Sequence, residues 1–128
     1  LLHLSPDWRS IRLCLPLSAA AKNHHGTMFG GFMASLADPV AAFVCGKLYP
    51  DYTTWTRMLK VDFRRAATTD LELRFDFPVE LEPTIERELR EQGRSTPSFH
   101  YAYYLTDGTL TATIECSVAI RQAGYMKG

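Results

Sequence analysis

From residue 29 onward, Phe29, Met33, Leu36, Val40, Phe43 and Val44 fall at steps of four and three, the spacing of one helix face. The residues between them are mostly Gly, Ala or Ser, so the other face is small rather than charged. A helix of this kind has no solvated side and is expected to be enclosed nearly all round. Pro39 sits inside it, where it removes one backbone bond and is expected to bend the helix just after Asp38. Whatever else the chain forms has to wrap this helix.

The rest of the chain supplies strands. Ile11, Leu13, Leu15 and Leu17 alternate with Arg12, Cys14 and Pro16, and the proline puts this first strand at a sheet edge. After a Tyr49-Pro50-Asp51 turn, Trp55, Arg57, Leu59, Val61 and Phe63 occupy one set of alternate positions. Leu71, Leu73, Phe75 and Phe77 repeat the pattern opposite Glu72, Arg74 and Asp76. Residues 82–92 read as a short surface helix, with Ile85 and Leu89 one turn apart and Gly93 at its stop. Phe99, Tyr101, Tyr103 and Leu105 form a fourth strand. Asp107-Gly108 turns the chain into a fifth, where Leu110, Ala112, Ile114, Cys116, Val118 and Ile120 alternate with polar residues. The order is strand, long helix, then four strands with a short inserted helix. That is an α+β domain in which a five-stranded antiparallel sheet wraps one central helix.

Residues 1–128 form a single domain, with no internal repeat, linker or low-complexity segment. The 14 basic and 14 acidic residues cancel, which points away from nucleic acid and from an anionic membrane. No apolar run approaches the ~20 residues that span a bilayer, and no basic-then-apolar signal pattern is read in these residues. A start on Leu1-Leu2 without Met is expected of a chain that has lost its natural beginning. Cys14, Cys45 and Cys116 are an odd set without CxxC spacing, as expected of reduced, mostly buried thiols in a cytoplasmic protein.

The chemistry concentrates in residues 23–38. A polar loop, Asn23 to Gly26, leads through the glycine pair Gly30 and Gly31 into the helix, which carries one carboxylate, Asp38. The first turn of a helix offers unpaired N–H groups and a positive dipole end to an oxyanion, and glycine lets a substrate approach that backbone. A buried carboxylate is costly without a partner or a task. Oxyanion donors and a carboxylate are the parts needed to hydrolyse an acyl group. Eight residues of helix place Gly30 and Asp38 roughly 12 Å apart, so one carbonyl cannot touch both. Either they serve different ends of a ligand, or two antiparallel copies of the helix bring Gly30 of one subunit to Asp38 of the other. The second arrangement is the favoured one.

Other chemistries lack their signatures. His24 and His25 are adjacent, so their side chains point apart, and no third ligand stands at metal spacing. No metal or redox cofactor is therefore expected. The glycine pair has no following Lys-Ser/Thr of a phosphate loop, and no Ser or Cys has a base beside it in sequence.

The element order, together with Asn23-x-x-Gly26-Thr27-x-x-Gly30-Gly31 and an Asp seven residues beyond the last glycine, resembles the hotdog-fold thioesterases. The likeness is greatest to the branch containing phenylacetyl-CoA-type and acyl-CoA thioesterases. Asp7-Trp8-Arg9, Thr27-Met28-Phe29-Gly30-Gly31 and Ala37-Asp38-Pro39 are similar to a poorly characterised bacterial subfamily of that fold. The resemblance implies that Asp38 is the catalytic carboxylate, as general base or as nucleophile. It places the carbonyl-polarising N–H at Gly30 and an assisting amide at Asn23. The hydroxyl that orients water falls on Thr56, with Thr54 as the alternative. Gly31, His25 and Phe29 flank these positions and are expected to line the substrate. The resemblance further implies a homodimer or a dimer-of-dimers tetramer, acting on an acyl-CoA or acyl-carrier thioester at the subunit interface.

One departure stands out: many relatives have His-Gly-Gly where this chain has Phe29-Gly30-Gly31. Two rival readings follow. The chain could be an acyl-binding protein with weak or no catalysis, for which the missing histidine is the argument, or a hotdog hydratase or dehydratase, although the acid–base His/Asp or His/Glu pair of the latter is not found.

Overall fold

The structure, a computed structural model, describes residues 2–18 and 30–123. Its elements are β1 (His3–Leu4), β2 (Ser10–Leu15), α1 (Gly30–Leu48), β3 (Tyr52–Phe63), β4 (Leu71–Asp76), a 3-10 turn (Val79–Leu81), α2 (Glu82–Gln92), β5 (Arg94–Ser95), β6 (Ser98–Leu105) and β7 (Leu110–Gln122). Neighbouring strands are antiparallel, in the order β1-β2-β4-β6-β7-β3, with β5 also on β7. β5 and β6 meet β7 in one register, Arg94 opposite Arg121 and Ser98 opposite Ser117, so they are a single strand interrupted at Thr96-Pro97. β1 adds two residues to the outer side of β2. The sheet therefore has five long strands around one helix, which is the hotdog architecture.

Period-two alternation buries Leu71, Leu73 and Phe75 of β4, Phe99, Tyr101 and Tyr103 of β6, and Ala112 to Ile120 of β7 at every second position. α1 packs against this face through Met33, Ala37, Val40, Ala41, Val44 and Cys45. Burial of a large apolar side chain is worth about 1.5–3 kcal/mol, so this seam holds the domain together. α2 begins with Pro83 in its first turn, buries Ile85 and Leu89, and stops at Gly93. Gly93 has φ +71°, and a Cβ there would stand 2.1 Å from Gln122 Oε1, so both backbone and space require glycine.

Two expectations need correction. The first is that α1 is enclosed nearly all round. In the single chain its sheet-facing side is buried, while the opposite side is open: Phe32 and Phe43 are 43% and 45% exposed, and Gly31, Ser35, Asp38 and Pro39 are exposed with them. Successive residues turn by about 100°, so Met33, Ala37, Val40 and Val44 share one side and Phe32, Ser35, Pro39 and Phe43 share the other. The apolar spacing alone did not separate these two sides. By length and composition α1 is also long and apolar enough to cross a membrane, at 19 residues and mean hydropathy 1.3. Its buried seam against the sheet makes it the core helix of this fold.

The second correction concerns β3. Pairing with β7 slips at a β-bulge between Thr56 and Met58. One extra residue reverses which side chains face the helix. Leu59 and Val61 face the helix after the bulge, but before it Thr54 and Thr56 do, so Trp55 and Arg57 do not share one face with Leu59 and Val61.

The Asp7-Trp8-Arg9 segment forms a brace. Arg9 Nη2 and Nε donate to Glu82 Oε1 and Oε2 at 2.7 and 2.9 Å, tying the N-terminal segment to the start of α2. Trp8 takes a left-handed backbone (φ +67°). Its ring stands edge-on to Phe43 at 5.9 Å, with Lys47 Nζ 5.0 Å above it. Hydrogen bonding from Arg9 outweighs partial burial and holds the Glu82 carboxyl below the usual range. Because the folded pKa is the lower one, this stabilisation is complete above the unfolded value of about 4.3 and disappears as pH falls through the folded value. Glu82→Gln should therefore cost about 1 kcal/mol at pH 7 and flatten the loss of stability below about pH 4.3. Thermal melts from pH 7 to 3 check this. An acid limb as steep as wild type would remove Glu82 from the account.

Candidate active site

Asp38 lies on the open side of α1 where the helix runs beside β3. Thr56 Oγ1 donates to the Asp38 backbone carbonyl at 2.8 Å, and Thr54 Oγ1 donates to the carbonyl of Ala42 at 3.0 Å. Asp38, Pro39, Ala42, Phe43, Thr54 and Thr56 line one open cleft. Asp38 is exposed in the single chain, which corrects the expectation of a buried carboxylate; it stands about a quarter-turn from the packed seam. Among the described residues no donor takes up its carboxylate. Thr56 is thus beside Asp38 as expected, but its proton is committed to a backbone carbonyl, and its remaining capacity is to accept.

Gly30 opens α1 at a second concavity, shared with Met33, Phe63, Arg64, Arg65, Ala66 and Ala67. A Cβ on Gly30 would stand 3.0 Å from Phe63 Cζ, so the ring lies directly on the bare backbone. The Gly30 and Asp38 concavities have no lining residue in common. One chain does not bring the two residues together, in keeping with their helical spacing. Gly31 is exposed on the open side of α1. Asn23, His24, His25 and Phe29 lie outside the described residues.

The surroundings single out this face. β3 pairs with β7 on one side and, among the described residues, is the last strand of the sheet on the other. Of seven exposed large apolar side chains among the described residues, five are on α1 and β3: Phe32, Phe43, Trp55, Met58 and Phe63. The opposite, outer face of the sheet holds a larger concavity, whose lining includes Asp62, Arg64, Arg74 and Asp76, each held in an ion pair. Arg64 Nε meets Asp62 at 3.1 Å, Arg12 Nη2 meets Asp76 at 3.0 Å, and Arg74 bonds Glu72. Among the described residues, none of 30–38 lines it.

Two groups escaped the sequence reading. The hydroxyls of Tyr101 and Tyr103 donate to the α1 carbonyls of Ala37 and Met33 at 2.7 and 2.6 Å. Their inward positions were legible, but the polar contact of an aromatic strand with a helix backbone leaves no mark in periodicity. The two buried thiols offer no nucleophile. Burial pushes Cys45 up to about 12 and raises Cys116, and both stay protonated at neutral pH.

No curated protein matches the chain in sequence. Solved structures share the fold. A Pseudomonas aeruginosa protein of unknown function, described as a "probable thioesterase", is 21% identical with TM-score 0.78, covering 89% of this chain and 77% of its own. The Haemophilus influenzae thioesterase HI1161 is 8% identical with TM-score 0.67, covering 94% and 77%. The Escherichia coli PaaI protein, from the phenylacetic acid degradation operon, is 18% identical with TM-score 0.65, covering 90% and 73%. At these identities the likeness establishes the hotdog fold. Residues 1–120 match the family described as Domain of unknown function (DUF4442), and the chain belongs to it.

Proposed function

We propose that the chain is a thioester hydrolase of the cytoplasm, acting as a homodimer on acyl-CoA or acyl-carrier thioesters. The supporting observation is that Asp38 and Gly30 sit in separate concavities near an unpaired sheet edge and an open, apolar helix side. A second copy related by a twofold axis would cover that apolar surface and join each Asp38 to the other subunit's Gly30. Asp38 then takes a proton from water as the oxygen attacks the thioester carbon. Gly30 N–H and Asn23 of the partner subunit hold the carbonyl oxygen as it becomes an oxyanion, the electrostatic contribution that often dominates such reactions. Collapse of the tetrahedral species expels the thiolate, which is protonated, and leaves a carboxylate. Asp38 attacking the carbonyl itself, with later hydrolysis of the anhydride, uses the same groups. Thr56 accepts a hydrogen bond from the attacking water.

The test is thiol release from a panel of short, long and aromatic acyl-CoA substrates, with light scattering on the same sample. Turnover of at least one thioester, at a mass of at least twice 14.5 kDa, is the expected result. A fully active monomer would overturn the shared site. The second reading, an acyl-binding protein, is favoured by one feature, Phe29 in place of the family histidine. Binding of an acyl-CoA without thiol release would select it.

A further inference from the structure

Four side-chain hydroxyls grip the carbonyls of α1. Tyr103 donates to Met33 at 2.6 Å, Tyr101 to Ala37 at 2.7 Å, Thr56 to Asp38 at 2.8 Å and Thr54 to Ala42 at 3.0 Å. Each carbonyl has a second lone pair, so these bonds add to the helix ladder without replacing it. The gripped positions 33, 37, 38 and 42 bracket Asp38. They also straddle Pro39, which has no N–H to give to the carbonyl of Ser35, so the internal ladder is missing a rung beside the carboxylate. The Ala37 and Asp38 carbonyls point about 100° apart around the axis. Holding both, from β6 and from β3, fixes the roll of the helix as well as its height.

We infer that Tyr101 and Tyr103 are positioning residues: their hydroxyls lock the roll of α1 against the sheet and so aim Asp38 at the reacting carbonyl. The inference rests on the thioesterase reading for what Asp38 does. A roll of about 20° would swing a carboxylate about 5 Å from the helix axis by roughly 2 Å, and displacements of that order cost catalysis far more than they cost folding. Burial raises both phenols well above their ordinary range, so they remain hydrogen-bond donors across the working pH range and do not act as acids or bases.

Tyr101→Phe and Tyr103→Phe keep the buried rings and delete only the grip. Each is expected to lower kcat at least ~10-fold with KM changed less than ~2-fold. The pH at which activity falls should stay in place, and amide exchange at residues 40–44 should speed up relative to α2. Ile85→Val, a buried truncation on α2 that touches none of the four bonds, supplies the comparison: lower Tm with kcat retained. The inference is overturned if the tyrosine variants lose only Tm, as Ile85→Val does, or if exchange in α1 is unchanged. If wild type releases no thiol from any thioester, the thioesterase reading falls while the exchange measurement still decides the anchoring of α1. If the Tyr101 variant does not fold, Tyr103→Phe, one turn farther from Asp38, carries the same two readouts.

Discussion

Replacing Asp38 by Asn should abolish all but about 1% of thioester turnover, the loss typical of a missing general base, with the fold and the subunit mass unchanged. The structure makes the separation of activity from stability clear. Asp38 is exposed in the single chain, and among the described residues its carboxylate accepts no hydrogen bond. Only its backbone carbonyl is held, by Thr56, and that bond survives the substitution. A surface change of this kind usually shifts stability by no more than about 0.5 kcal/mol. Asn keeps the shape and the hydrogen-bonding oxygen but cannot take a proton from water or attack a carbonyl. Thiol release, a thermal melt and light scattering on one preparation give the answer. Turnover near the wild-type rate would remove Asp38 as the catalyst, and the acyl-binding reading would take its place.

The fold was legible where period and length were unambiguous. β7 alternates from Leu110 to Val118 within a strand of thirteen residues, and α2 carries its own stop signal in Gly93, so both lie where the sequence puts them. β1 and β5 are two residues each, too short for any period to register. The bulge at residues 56–58 was hidden because a strand with an inserted residue still alternates on either side of the insertion. Its effect falls on the candidate site, since it turns Thr54 and Thr56 toward α1. Gly30 and Asp38 stood out because glycine at a helix start and a carboxylate among small residues both break the local pattern. Asp38 was expected to be buried because the apolar and small residues of α1 do not by their spacing separate the side that faces the sheet from the side that does not. The grip of Tyr101 and Tyr103 on α1 depends on distances between elements 64 and 70 residues apart, which no local pattern encodes.

Mixing two inactive variants should restore activity if each site is shared between subunits. Asn23→Ala and Asp38→Asn each damage both sites of a homodimer, one through the oxyanion side and the other through the carboxylate. In a mixed dimer the subunit carrying Asn23→Ala still supplies Asp38, and the subunit carrying Asp38→Asn still supplies Asn23. One of the two sites then holds both lesions and the other holds none. Random exchange at equal concentrations makes about half the dimers mixed, so about a quarter of the wild-type activity should return on twofold site counting. Each parent alone should stay near 1%. The double variant mixed with wild type is the control, because each site of that mixed dimer carries one lesion and only the remaining wild-type homodimers contribute. Native mass spectrometry establishes that exchange has occurred. If exchanged single variants stay inactive, both residues act within one subunit. The Gly30-to-Asp38 spacing would then have to be bridged by the ligand itself, with its two ends in the two concavities that one chain already presents on α1.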